Sequence, residues 1–158
     1  MKSLVVYYSF EGSTELLAKT LAKALKADLL KLEPINEIRS KGFMKYVWGG
    51  KQVMFKSQPE LKPFNTDFKK YNLIIFGSPV WAFTFAPPLR SFFSNVKLSG
   101  KRVGLFCCCD GNAGKTLEYM GKELAGNEVV GQVCFTNVKN NSDACVANAK
   151  KWALGLIQ

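Results

Sequence analysis

The chain has 158 residues, of which 47% are hydrophobic and 22% charged, with a net charge of +10 and no histidine. That length suits a single domain, residues 1–158, with a core of its own, and the composition excludes a disordered or fibrous chain. The missing histidine removes the commonest general base and the commonest metal ligand. No metal site and no side-chain catalytic centre is therefore expected, and a cofactor should carry any hard chemistry. The N-terminal Met-Lys-Ser leads directly into a strand pattern, without an apolar leader or a small-residue cleavage site. No apolar run approaches a membrane span. A cytoplasmic protein with no membrane partner is the expectation. The lysines are scattered, with no dense basic run. The positive charge therefore reads as a solvated surface as readily as a binding function, and nucleic acid is not an expected partner.

In chain order, Leu4–Tyr8 reads as a strand and Thr14–Lys26 as a helix, with Leu17, Leu21 and Leu25 spaced four apart and Lys19, Lys23 and Lys26 off that stripe. Asp28–Leu32 reads as a second strand, ended by Pro34. The stretch Ile35–Tyr71 is irregular and rich in aromatics (Phe43, Tyr46, Trp48, Phe55), with a Gly49-Gly50 break. A short helix and a long ordered loop are expected there. Leu73–Gly77 is apolar on both faces, as a central parallel strand should be. A helix follows over Pro87–Val96, then a strand over Arg102–Cys109. The pattern closes with a helix over Gly114–Ala125, a strand over Val129–Thr136 and a helix over Asp143–Ile157 that turns Cys145, Ala149, Trp152 and Leu156 inward. This alternation argues an α/β fold, an open parallel sheet wrapped by helices.

Three of the five cysteines are consecutive, Cys107, Cys108 and Cys109. Neighbouring strand residues point to opposite faces, which makes a poor metal cage and a poor disulfide set. Cys134 and Cys145 stand alone in the sequence. All five are expected as reduced thiols that pack as small hydrophobes.

Ligands of open parallel sheets bind beyond the C-terminal strand ends. Three segments lie there. In the first, Ser9–Thr14, a strand delivers two hydroxyls and Gly12 to a helix start, where free N–H groups and the helix dipole favour an anion. No Lys or Arg lies between Tyr7 and Leu17, which suits a fixed cofactor's phosphate held by neutral donors. The second, Gly77–Pro88, is stiffened by Pro79, Pro87 and Pro88 and carries Trp81 and Phe83, flat apolar faces where polar groups are usual. Those rings either meet a planar ligand or plug the loop against the 35–71 insert. The third is Cys109–Gly114. Gly114-Lys115-Thr116 resembles the end of a nucleotide P-loop, but the position that needs the earlier glycine is Cys109.

Taken together, these motifs resemble the flavodoxin family. Val5-Val6-Tyr7, Ser9, Gly12, Thr14, Ala18 and Leu21 match its phosphate-loop signature, and Gly77-Ser78-Pro79-Val80-Trp81 is similar to its first isoalloxazine loop. Cys109–Gly114 lies where its second one should be. The resemblance implies an open five-stranded parallel sheet in order 2-1-3-4-5, with helices on both faces and one non-covalent FMN. It implies that Ser9, Thr14 and the amides of residues 10–14 (Phe10, Glu11, Gly12, Ser13 and Thr14) hold the phosphate. Ser78, Pro79, Val80, Trp81, Ala82 and Phe83, with Cys109, Asp110, Gly111, Asn112 and Gly114, would line the ring, and Trp81 would stack on it.

Three departures separate the functions that this family hosts. Glu11 stands where a hydroxyl residue is common, so its side chain should point to solvent. The third segment lacks an aromatic for the flavin's outer face, which leaves that face open or covered by the insert, with Trp48 a candidate. The chain is basic where electron-carrying flavodoxins are acidic. The resemblance implies electron transfer to a redox partner protein or a small-molecule acceptor. The alternative is an FMN-dependent NAD(P)H reductase acting on a quinone or similar acceptor. A phosphorylated receiver domain would need acidic residues where Tyr8-Ser9 and Gly77-Ser78 stand, and no cysteine has the arginine six positions on that a low-molecular-weight phosphatase requires. The oligomeric state stays open.

Overall fold

The computed structural model describes residues 1–37 and 57–158. Its elements are β1 (Ser3–Tyr7), α1 (Ser13–Leu25), β2 (Asp28–Lys31), β3 (Leu73–Trp81), β4 (Thr84–Phe85), α2 (Pro87–Asn95), β5 (Arg102–Cys109), α3 (Thr116–Glu123), β6 (Glu128–Thr136) and α4 (Ser142–Gly155). The sheet runs β2-β1-β3-β5-β6, all parallel, with β4 attached antiparallel to β3. Counted without β4, that is the expected order 2-1-3-4-5.

Alternation along the central strands builds two cores. Leu4, Val6, Ile74, Phe76 and Leu105 pack with Leu89, Phe92 and Phe93 of α2 and Met120 of α3. Val5, Ile75 and Phe106 point the other way, onto Leu17 and Leu21 of α1 and Ala149 and Ala153 of α4. The leucine stripe of α1 is thus its buried face, and each of Leu17 and Leu21, fully buried, contributes about 1.5–3 kcal/mol. The helix stops at Lys26, left-handed at φ 50°, and Ala27 N–H closes on the Ala22 carbonyl at 2.8 Å.

β3 departs from expectation. It does not end at Gly77 but continues to Trp81, then returns as β4, with Val80 opposite Phe85 and Trp81 opposite Thr84. Pro79 reads as a strand breaker because it lacks an N–H. It is tolerated because β1 ends opposite Gly77, so β3 has lost that neighbour by residue 79. The second candidate segment is therefore a hairpin rather than a loop.

Helix α3 begins at Thr116, two residues later than the pattern suggests, and the Thr116 hydroxyl donates to the Ala113 carbonyl at 2.6 Å. In the 35–71 insert, Pro34 bridges to Leu61, and Phe64 and Phe68 pack on Phe92. Its described helical piece is a short 3-10 turn, Phe68–Lys70. Phe43, Tyr46, Trp48, Gly49-Gly50 and Phe55 lie outside the described residues, as does any cover by Trp48. Among the described residues, no helix is long and apolar enough to cross a membrane.

Candidate functional site

At the end of β1 the chain turns into α1 through Gly12, left-handed at φ 105°, with nothing within 4 Å of where a Cβ would stand. The Gly12 N–H donates to Ser9 Oγ at 3.2 Å, and the Gly12 carbonyl accepts the first helical bond, from Leu16 N–H at 2.9 Å. No side chain caps this helix start. The first amides of α1 therefore face an open cradle with the positive end of the helix dipole behind them, which fits an anion. Thr14 is buried and lines the cleft beside Cys108.

The acids around this turn are tied to cations or hydroxyls. Glu11 is exposed and accepts from Lys139 Nζ at 3.2 Å. Glu15 accepts from the Tyr7 hydroxyl at 3.1 Å and pairs with Lys19 and Lys31, each at 3.4 Å. Burial, and then the Glu15 carboxylate, hold the Tyr7 phenol well above its ordinary range.

From the next strand end, Pro79, Val80 and Trp81 line the same cleft as Ser9, Phe10, Glu11, Ser13 and Thr14. The half-buried Trp81 ring stands nearly perpendicular to Tyr8 (centroids 5.6 Å apart) and to Phe10 (5.8 Å). Tyr8 is itself anchored, since its hydroxyl donates to Glu37 at 2.8 Å. Burial, then Glu37, push its ionisation far above the ordinary value. Ser78 does not reach the cleft. Its hydroxyl accepts from Ala86 N–H at 2.9 Å and donates to the Pro79 carbonyl at 2.7 Å, which fastens the base of the hairpin.

Ala82 and Phe83 form the hairpin tip and lie off the cleft, in a second depression shared with Arg90, Gly114 and Tyr119. Both tip residues have positive φ, 49° and 63°, and the Phe83 side chain is exposed.

The third segment is divided as well. Cys109 and Asp110 line the cleft, whereas Gly111, Asn112 and Gly114 do not. Asn112 Oδ1 accepts from Gly114 N–H at 2.7 Å. Gly114, at φ 57°, abuts the hairpin tip, and a Cβ there would stand 2.6 Å from Phe83 Cβ and 2.7 Å from the Phe83 carbonyl oxygen. Two cleft residues escaped the sequence reading, Cys108 and Val138. The strand-end rule would have found Val138, which follows β6.

Cys134, isolated in the sequence, has a neighbour in space. Its Sγ lies 3.2 Å from Cys109 Sγ, because β6 runs beside β5 with Cys134 opposite Cys107. Cys145 Sγ lies 3.8 Å from the Thr136 carbonyl, to which it donates. All five cysteines are free thiols, four of them buried.

The fold and cleft have counterparts among solved structures. A flavoprotein from Lactobacillus acidophilus NCFM, crystallised in complex with FMN, superposes with TM-score 0.74 at 24% identity, covering 90% of this chain and 97% of that one. Oxidised Flavodoxin 2 from Bacillus cereus matches with TM-score 0.63 at 18% identity, over 99% and 98% of the two chains. An azoreductase from Bacillus anthracis str. Sterne matches with TM-score 0.56 at 14% identity, over 97% and 99%. No curated protein matches the chain. The sequence model of the flavodoxin family, whose cofactor is FMN, matches residues 2–152, and the chain belongs to that family.

Proposed function

We propose that this protein binds one FMN non-covalently in the cleft and passes electrons through it to a redox partner protein or a small-molecule acceptor. The observation that supports this reading is the meeting, on one cleft, of an uncapped helix start behind Gly12 and an indole from the next strand end. The first suits a phosphate and the second a flat ring. When bound, the flavin supplies the electron chemistry.

The chain's own residues have separate tasks. Ser9, Thr14 and the amides of residues 10–14 hold the phosphate by neutral donors, while Lys139 draws the Glu11 carboxylate aside. Trp81, braced by Tyr8 and Phe10, offers its indole to the isoalloxazine. Cys109 and Asp110 bound the cleft on the β5 side. The free thiols suit a reducing, cytoplasmic setting.

The test begins with the absorbance spectrum of the purified protein and chromatography of the flavin it releases. FMN is expected. Mainly FAD, or no flavin after reconstitution, overturns the cofactor. Steady-state assays with NADH and NADPH follow. Bound flavin without nucleotide turnover is the expected result, and rapid oxidation of either nucleotide would instead assign a reductase. Trp81→Ala should restore flavin emission that the wild-type protein quenches. Unchanged quenching removes Trp81 from the ring site.

A further inference from the structure

Cys107, Cys109 and Cys134 share one face of the sheet. β5 and β6 run parallel with Cys107 opposite Cys134, and residues two apart on a strand point the same way. At the end of β5, Cys109 turns its Sγ to 3.2 Å from Cys134 Sγ. A disulfide bond is about 2.0 Å long, and Cys109 lies two residues along the ladder from Cys107, the residue opposite Cys134, so closing the bond also draws the end of β5 toward β6. The ground on both sides permits that. Cys109 is the last residue of β5 and opens onto the exposed 110–112 loop, while Cys134 sits half-buried on β6, an outer strand of the sheet. Cys107 is fully buried and lies mid-strand.

The surroundings also divide the two sulfurs by role. Donors from Cys107, Cys109 and Thr136 hold the Cys134 thiol below the ordinary thiol range, against its partial burial. The Cys109 thiol is pushed up, by burial and then by Cys134. Cys134 is also the more exposed of the two, half-buried where Cys109 is buried, so a small oxidant reaches it first.

We propose that Cys134 and Cys109 form a redox-active dithiol at the wall of the cleft, oxidised by a hydroperoxide with Cys134 as the attacking sulfur. The Cys134 thiolate attacks the outer peroxide oxygen. An S–O bond forms, the O–O bond breaks, and the departing alkoxide or hydroxide takes up a proton. Cys109 then gives up its proton and attacks the Cys134 sulfur. The S–S bond forms, the S–O bond breaks, and hydroxide leaves as water with that proton. In sum, two thiols and one hydroperoxide give one disulfide, one alcohol or water, and one further water. A small dithiol reverses the change by exchange. No step involves the flavin, so this inference stands or falls apart from the proposed function.

The experiment treats the purified, reduced full-length protein with one equivalent of hydrogen peroxide and reads intact mass and free thiols. Loss of two of the five thiols, with the mass of two hydrogens and no change in oligomeric size, is expected, reversed by dithiothreitol. Cys134→Ser should keep all of its thiols. Cys109→Ser should leave a sulfenic acid that dimedone traps, and Cys107→Ala should still form the bond. The wild-type protein provides a test that needs no variant. Dimedone added with the peroxide should tag the tryptic peptide Glu123–Lys139, in which Cys134 is the sole cysteine. An unchanged thiol count, a bond through Cys107 or Cys108, a bond between chains, or tagging confined to the peptide Val103–Lys115 each overturns the proposal.

Discussion

At the end of β1 the left-handed residue is Gly12, which has no Cβ and open space before it. At the end of β3 the left-handed residues are Ala82 and Phe83, which both carry side chains. A two-residue hairpin turn with positive φ at both positions matches strand twist well, but it normally uses Asn, Asp or Gly. A left-handed L-residue costs roughly 1–2 kcal/mol, so the hairpin turn must be held by its surroundings. Two contacts hold it. Ser78 ties the Ala86 N–H to the base, and Gly114 lets the next loop press directly against Phe83. One turn is thus built by its own sequence and the other by tertiary contact.

The largest effect should come from breaking that contact. Gly114→Ala meets Phe83 backbone at 2.7 Å and must also adopt φ 57°, so a loss of roughly 2–5 kcal/mol is expected. Gly12→Ala meets nothing within 4 Å and carries only the backbone penalty, about 1–2 kcal/mol. Urea denaturation of both variants measures the contrast. Equal losses would mean that the hairpin does not lean on Gly114.

The same contrast governs what could be read from the chain alone. The phosphate turn was legible because its requirements are local: a hydroxyl, a glycine and a helix stripe at fixed spacing. The parallel sheet was legible too, since the apolar run Leu73–Phe76 has no other home than a doubly covered strand. The hairpin was not. Pro79 signals a break, and neither Ala82 nor Phe83 signals a tight turn; only the end of β1 opposite Gly77 and the fit of Gly114 against Phe83 make the turn possible. The Cys109–Cys134 approach was hidden likewise, because it depends on the β5–β6 register and not on spacing in the chain.

A second prediction sharpens the chemical side of the first turn. Ser9→Ala and Thr14→Ala should each weaken FMN by roughly 1–3 kcal/mol, the range for a bond to a charged group left unmade. Riboflavin, which has no phosphate, should scarcely respond. Thr14 is buried against Cys108, so Thr14→Ser, which keeps the hydroxyl, serves as the control and should retain most of the FMN affinity. Flavin titrations by fluorescence quenching measure both ligands. Equal losses for FMN and riboflavin would show that the turn does not hold a phosphate.

A third concerns the returning strand. Thr84 Oγ1 is the one buried side-chain oxygen or nitrogen without a partner among the described residues. A buried hydroxyl of that kind costs about 1–3 kcal/mol, so Thr84→Val should stabilise the protein by about 1 kcal/mol once imperfect packing is allowed for. Thermal unfolding measures it. A destabilised Thr84→Val would mean that the hydroxyl has a partner in solution and that the hairpin is held from that side as well.

The smallest expected effect goes to the strain itself. Ala82→Gly removes a Cβ from a residue at φ 49° and disturbs no core contact, since Ala82 is exposed. The relief of about 1–2 kcal/mol is offset by the extra freedom that glycine brings to the unfolded chain, about 0.5–1 kcal/mol. A net gain of about 0.5 kcal/mol is expected in urea denaturation. Combined with Gly114→Ala, the substitution should recover part of the lost stability, because a more pliant tip can move away from the new methyl. If Ala82→Gly instead lowers stability and gives Gly114→Ala no relief, the tip is not under strain, and the two turns differ only in the residues they happen to use.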